Sequence, residues 1–111
     1  MAGLVPAIPI PETPLMKPGY VYILASRPGG AIYVGVTGNL VKRIAEHKSG
    51  QVPGHTKRYG IGMLVHYEVY DDIRDAIQRE KNIKHWSRVY KTRLILKANP
   101  AWRDLYEDVI G

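Results

Sequence analysis

Two β-rich runs separated by a turn constrain this chain more than any other feature. YVYILA at 20–25 and AIYVGV at 31–36 are dense in β-branched and aromatic residues, and RPGG at 27–30 between them is turn chemistry. They read as a strand, a tight loop and an antiparallel strand. If the loop holds an even number of residues, Tyr22 and Tyr33 project from one face, because opposed residues share a face and alternate residues return to it. Gly35 then lies on that face too, leaving room where a side chain would stand, which suits a backbone or ligand coming close. The plain alternative is a pair of core tyrosines beside a strand glycine at a bend.

After the hairpin, Thr37 or Asn39 can cap a helix that runs to about Lys48 and stops at Gly50, with Leu40, Ile44 and Ala45 as its apolar stripe. The stretch from Gly50 to Gly62 carries four glycines and a proline and suits neither the helical nor the strand period. MLVHYEVY at 63–70 is a third strand, and Asp71 or Asp72 begins a second helix reaching to about Trp86. Beyond Ser87 a further helical pattern uses Val89, Leu94 and Leu96 and ends at Asn99-Pro100, and AWRDLYEDVI closes the chain as a short amphipathic segment. The order β-β-α-β-α-α describes a small α+β domain, a three-stranded antiparallel sheet flanked by helices. Ahead of it, Pro6, Pro9, Pro11 and Pro14 forbid helix or central strand. Residues 1–18 therefore read as a flexible proline-rich tail and 19–111 as the domain, with Met16 a second candidate start of translation.

Composition narrows the function classes. Without cysteine there is no disulfide, thiolate zinc site or cysteine nucleophile. No apolar run approaches the roughly 20 residues that span a bilayer. The apolar N-terminal stretch is broken by prolines and lacks a preceding basic region, unlike a secretory signal, so the expected setting is the cytoplasm. Lys and Arg number 16 against 10 Asp and Glu, a formal charge of +6, which favours polyanionic partners such as nucleic acid and no membrane.

Three groups of residues can carry chemistry. Arg43 and His47 stand four apart on the first helix and share a face. The arginine offers a planar fork that matches phosphate, and its charge tends to keep the imidazole neutral. On the second helix Ile73, Ala76 and Ile77 set the inward stripe, and the next position of that stripe is Glu80. A carboxylate in an apolar position needs a cation, whether Arg43, a lysine or a divalent ion. Finally, Lys57, Arg58 and Tyr59 in the glycine-rich loop and Lys84 on the second helix are suited to phosphate contact and base stacking, although such charges also serve as plain solvated surface.

Taken together, Tyr20-Val21-Tyr22, then Tyr33-Val34-Gly35, followed by TGNLVKRIAEHKSG and the helical REKNIKHW, resemble the GIY-YIG nuclease superfamily, and more closely its small single-domain bacterial branch. The similarity runs from about Gly19 to Tyr106, with the first motif reading Tyr-Val-Tyr for Gly-Ile-Tyr. Position by position, the resemblance implies Tyr22 and Tyr33 as the paired tyrosines, Arg43 as the phosphate-facing arginine, His47 as its helix partner, Glu80 as the metal ligand and Asn99 as the late asparagine near the site. One carboxylate suits a single hard ion, Mg²⁺ or Mn²⁺, that keeps several waters. The implied activity is metal-dependent endonucleolytic hydrolysis of phosphodiester bonds in DNA, in repair or recombination. The alternative is a nucleic-acid-binding module of the same fold with little or no catalysis.

Overall fold

The computed structural model describes residues 17–111, so the proline-rich run up to residue 16 lies outside the described residues. Strands β1 (Gly19–Ala25), β2 (Ile32–Thr37) and β3 (Met63–Tyr70) form one antiparallel sheet in the order β2-β1-β3. The β1–β2 connection covers 26–31, an even number of residues, and pairs Ala25 with Ile32 and Tyr22 with Gly35. Arg88 holds the turn from outside, its Nη2 donating to the carbonyls of Gly29 at 3.0 Å and Gly30 at 2.7 Å.

Strand β1 is central, which explains its unbroken apolar run: both of its faces are covered. Val21, Ile23 and Ala25 pack with Val34, Val65, Ala76, Ile83, Ile95 and Trp102, beneath helices α3 (Ile73–Lys84) and α4 (Arg88–Ala98). Tyr22 and Leu24 face the other way, against Leu40 and Ile44 of helix α1 (Leu40–Lys48) and Ile61 and Leu64. The fold is thus α+β with the sheet between two helical layers, as expected.

Asn39 caps α1, its side chain accepting from the Lys42 amide at 3.1 Å. Asp72 caps α3 through the Arg74 amide at 2.9 Å. Helix α3 stops at Lys84, short of the expected Trp86.

Several expectations are corrected. The glycine-rich stretch contains a one-turn helix, α2 (His55–Arg58), between Gly54 and Gly60, whose φ values of 99° and 64° are open to glycine. In α1 the inward positions are Leu40, Ile44 and His47, while Ala45 is exposed. In α3 they are Ala76, Glu80 and Ile83, and Ile77 is exposed. In α4 only Ile95 is fully buried, with Val89 and Leu96 outward. Each helix offers its neighbours a face narrower than the apolar residues could fill, so spacing alone leaves its rotation open by one position.

The closing segment covers the β3 edge. Asp104 accepts from the Leu64 amide at 3.1 Å, the Leu105 amide donates to the Leu64 carbonyl at 2.7 Å, and helix α5 (Tyr106–Ile110) follows. Among the described residues no helix is long and apolar enough to cross a membrane.

On the α3 side of β3 the Glu68 carboxylate accepts from Arg79 Nε at 3.0 Å and Nη2 at 3.2 Å, from the Tyr70 hydroxyl at 2.8 Å and from His66 Nε2 at 2.9 Å. Burial alone would raise the pKa of Glu68, but the hydrogen bonds from His66, Arg79 and Tyr70 outweigh it and bring it to about 2. Because the folded value lies below the unfolded one, this stabilisation is present above pH 4.5 and is lost as pH falls through about 2. Glu68→Gln is therefore expected to destabilise the fold by about 1–3 kcal/mol at neutral pH. In urea denaturation the gap between it and the wild type should narrow at pH 3; a gap independent of pH would contradict the assignment.

Candidate active site

The candidate site forms where α1 and α3 meet the β2 edge of the sheet. The register that places Gly35 opposite Tyr22 lets the tyrosine ring lie flat across β2. A Cβ on Gly35 would collide with Cζ and the hydroxyl of Tyr22, so the space that the glycine leaves is filled by that ring. Tyr33, paired with Leu24, projects from the same face, its ring centroid 6.3 Å from that of Tyr22. The inference from strand parity holds.

Crossing Gly35 brings the Tyr22 hydroxyl to within 3.1 Å of His47 Nε2. His47 stands on the buried stripe of α1, and its other nitrogen, Nδ1, is 3.1 Å from Thr56 Oγ1. The three rings form one cluster, with His47 5.7 Å from Tyr22 and 5.6 Å from Tyr33 between centroids. Burial is the main reason that the pKa of Tyr22 is driven up, reinforced by Tyr33 and Glu80 and opposed by Arg43. Burial, then the Arg43 charge, lowers that of His47. Both effects favour the neutral forms, phenol and imidazole. Arg43 is half-exposed and pairs with Glu46 at 3.3 Å, so it stays at the mouth of the cluster instead of inside it.

Glu80 is 7% exposed, as its place on the apolar stripe implied. Its partner is Lys84, one turn on, with Nζ 2.6 Å from Oε2. The same ammonium stands 6.0 Å from the Tyr33 ring centroid, so Lys84 belongs to the site as well as to the surface. Among the described residues no group of three or more His, Asp or Glu gathers to cage an ion. A single buried carboxylate still fits a hard divalent ion that keeps most of its water and takes further oxygens from a phosphate. Lys84 has a half-exposed side chain free to swing away.

The remaining expected residues divide. Lys57, Arg58 and Tyr59 are exposed on and after α2. Lys57 shares with His47 and Thr56 an open cleft of about 310 Å³. Asn99 is not brought to the cluster. Its amide lies by β3, at the opposite edge of the sheet from β2, donating to the carbonyls of Val65 at 3.0 Å and Arg103 at 2.8 Å and accepting from the Arg103 amide at 2.9 Å. It closes the turn after α4 and has little capacity left for a ligand. Thr56 and Glu46 also belong to the cluster and its rim. Nothing in an irregular glycine-rich loop marked Thr56 as buried, whereas Glu46 could have been found as the i+3 partner of Arg43.

Comparison with known proteins points one way. The family model of the GIY-YIG catalytic domain matches residues 18–93. The chain is 41% identical over 76 residues to a UPF0213 protein of Natronomonas pharaonis, covering 68% of this chain and 88% of that one. It is also 41% identical over 86 residues to a UPF0213 protein of Syntrophus aciditrophicus, covering 77% and 97%. Among solved structures it is similar to the solution NMR structure of a UPF0213 protein from Bacillus halodurans, with a TM-score of 0.50 at 30% identity over 78% of this chain and 92% of that one.

Two outcomes follow from this geometry. In an NMR titration His47 should become half-protonated below its ordinary value of 6.5. The unfolded imidazole then takes up protons that the folded one refuses, so this contribution to stability is complete above pH 6.5 and declines as pH falls. Arg43→Gln should move the midpoint upward; a wild-type midpoint at or above 6.5 would refute the account. Gly35→Ala should displace the Tyr22 ring and cost about 1–3 kcal/mol in thermal or chemical denaturation.

Proposed function

The chain belongs to the GIY-YIG catalytic-domain family, and on that footing we propose that it is a metal-dependent endonuclease that hydrolyses phosphodiester bonds in DNA. The observation that carries this reading is the Tyr22 hydroxyl bonded to a neutral, buried imidazole beside a buried carboxylate. A phenol with a raised pKa is a poor resting base, but a phenol with a proton acceptor behind it is a relay. As the attacking water gives a proton to the Tyr22 oxygen, the Tyr22 proton passes to His47 Nε2. The hydroxide oxygen bonds to phosphorus while the bond from phosphorus to the leaving oxygen breaks. Tyr33, half-buried on the same face, orients the water.

Arg43 at the mouth presents its fork to the non-bridging oxygens and offsets the charge that develops there. Glu80 would hold Mg²⁺ or Mn²⁺, which supplies positive charge beside the scissile phosphate and its leaving oxygen. Lys57, Arg58 and Lys84 supply phosphate contacts and Tyr59 a stacking surface for the flanking strand.

A second reading, a nucleic-acid-binding module with little or no catalysis, is favoured by one observation: Lys84 already neutralises Glu80 at 2.6 Å. Labelled duplex, single-stranded and branched DNA, assayed with and without Mg²⁺ or Mn²⁺, separate the two. Cleavage should require the ion, and Tyr22→Phe or His47→Ala should reduce it by roughly 10²- to 10⁴-fold. Glu80→Gln should abolish it while DNA binding persists. Binding itself should weaken steeply as salt rises. Binding without cleavage of any substrate under any condition would leave the second reading standing, and a salt-independent affinity would remove both.

A further inference from the structure

Thr56 is 4% exposed, and its hydroxyl oxygen meets Nδ1 of a histidine that is itself 6% exposed. Its place is built by the backbone around it. The Ile61 amide donates to the Thr56 carbonyl at 2.8 Å, Ile61 is buried, and Gly54 and Gly60 supply the left-handed φ values that bend the chain into and out of α2. The loop thus holds one inward hydroxyl between two glycine bends.

A neutral imidazole has one N–H and one lone pair, so the partner on one nitrogen sets the role of the other. Both nitrogens of His47 are engaged, Nε2 by Tyr22 and Nδ1 by Thr56. A phenolic hydroxyl is a better donor than acceptor, so Tyr22 donates to the Nε2 lone pair. The proton of His47 then resides on Nδ1 and is donated to Thr56 Oγ1. In the opposite tautomer Nε2 would carry a proton and could accept none from Tyr22.

We propose that Thr56 is a positioning residue that fixes the ring orientation and tautomer of His47, keeping the Nε2 lone pair directed at the Tyr22 hydroxyl. Its kinetic consequence rests on the nuclease reading above; the tautomer itself does not. Thr56 touches no reacting atom and acts only through His47. A valine there would keep nearly the same shape and remove the acceptor, letting the imidazole sample both tautomers and rotate.

The test is ¹⁵N NMR of the histidine rings in the full-length chain, free of metal and DNA, at a pH where His47 is neutral. The wild type should show a protonated-type Nδ1 signal and an unprotonated-type Nε2 signal. In Thr56→Val the separation between the two should shrink toward an average, and Thr56→Ser should restore it. In Mg²⁺-dependent cleavage Thr56→Val should lower kcat roughly 10- to 100-fold with KM little changed, and Thr56→Ser should recover most of it. A wild-type ring protonated on Nε2 overturns the proposal, as does a folded Thr56→Val with unaltered ring signals and kcat. If Thr56→Val fails to fold, Thr56→Ala takes its place and the wild-type spectrum still decides the tautomer. An enzyme that cuts nothing refutes the nuclease reading and leaves the ring signals to judge Thr56.

Discussion

The ring of Tyr22 lies across the β2 backbone at Gly35, and the rest of the candidate site follows from that contact. Tyr22 belongs to the central strand, paired on both sides, so its backbone has no freedom to adjust. Only a glycine opposite it allows the ring to lie down across the neighbouring strand and carry its hydroxyl to the sheet edge. There it meets His47, which helix α1 holds on the same stripe as Leu40 and Ile44. The packing of the second core and the hydrogen bond of the site are one arrangement: the residues that bury α1 also set the distance between phenol and imidazole. Core packing on this face and the phenol–imidazole contact are therefore coupled.

Two largely buried carboxylates illustrate how the cost of burial can be met in different ways. Glu68 is surrounded by donors from His66, Tyr70 and Arg79, and hydrogen bonds overcome its desolvation. Such a group is saturated and holds β3 to α3. Glu80 is more sheltered still, but its ion-pair partner is a flexible lysine with a half-exposed side chain. A carboxylate whose counter-charge can leave is able to exchange it for another cation, which a bidentate arginine partner would resist. What separates the two carboxylates is the mobility of the partner, a forked arginine for Glu68 and a single lysine for Glu80.

Neutrality is the other theme of the cluster. Burial raises Tyr22 and lowers His47, so neither ring carries charge at rest, and the two charged pairs, Arg43 with Glu46 and Lys84 with Glu80, lie at its margins. Neutral groups joined by fixed hydrogen bonds can pass a proton without separating charge over a long distance. Cations thus stand at the rim and the neutral phenol–imidazole pair behind them.

From sequence alone, the hairpin, the three strands, the helices and the anomaly at Glu80 are legible, because each is set by local periodicity or by a single residue out of pattern, while the parity of the hairpin depends on a loop length that the register fixes. Tyr33 and Gly35 share a face because strands repeat every two residues, and Tyr22 joins them because the 26–31 connection is even. What lay beyond reach was rotation and company. Ala45 and His47 are equally compatible with the α1 stripe, and only packing against Leu40 and Ile44 turned the imidazole inward. Asn99, assigned by resemblance, is instead held by the backbone of β3 and the turn after α4. Lys84, one turn after Glu80, follows the i,i+4 rule, whereas Thr56 became the partner of His47 through a contact that no spacing rule ranks. Strand parity is a property of the chain, whereas the choice of which polar group meets which is a property of the closed core. There, desolvation makes every unpaired donor costly and so selects one set of partners.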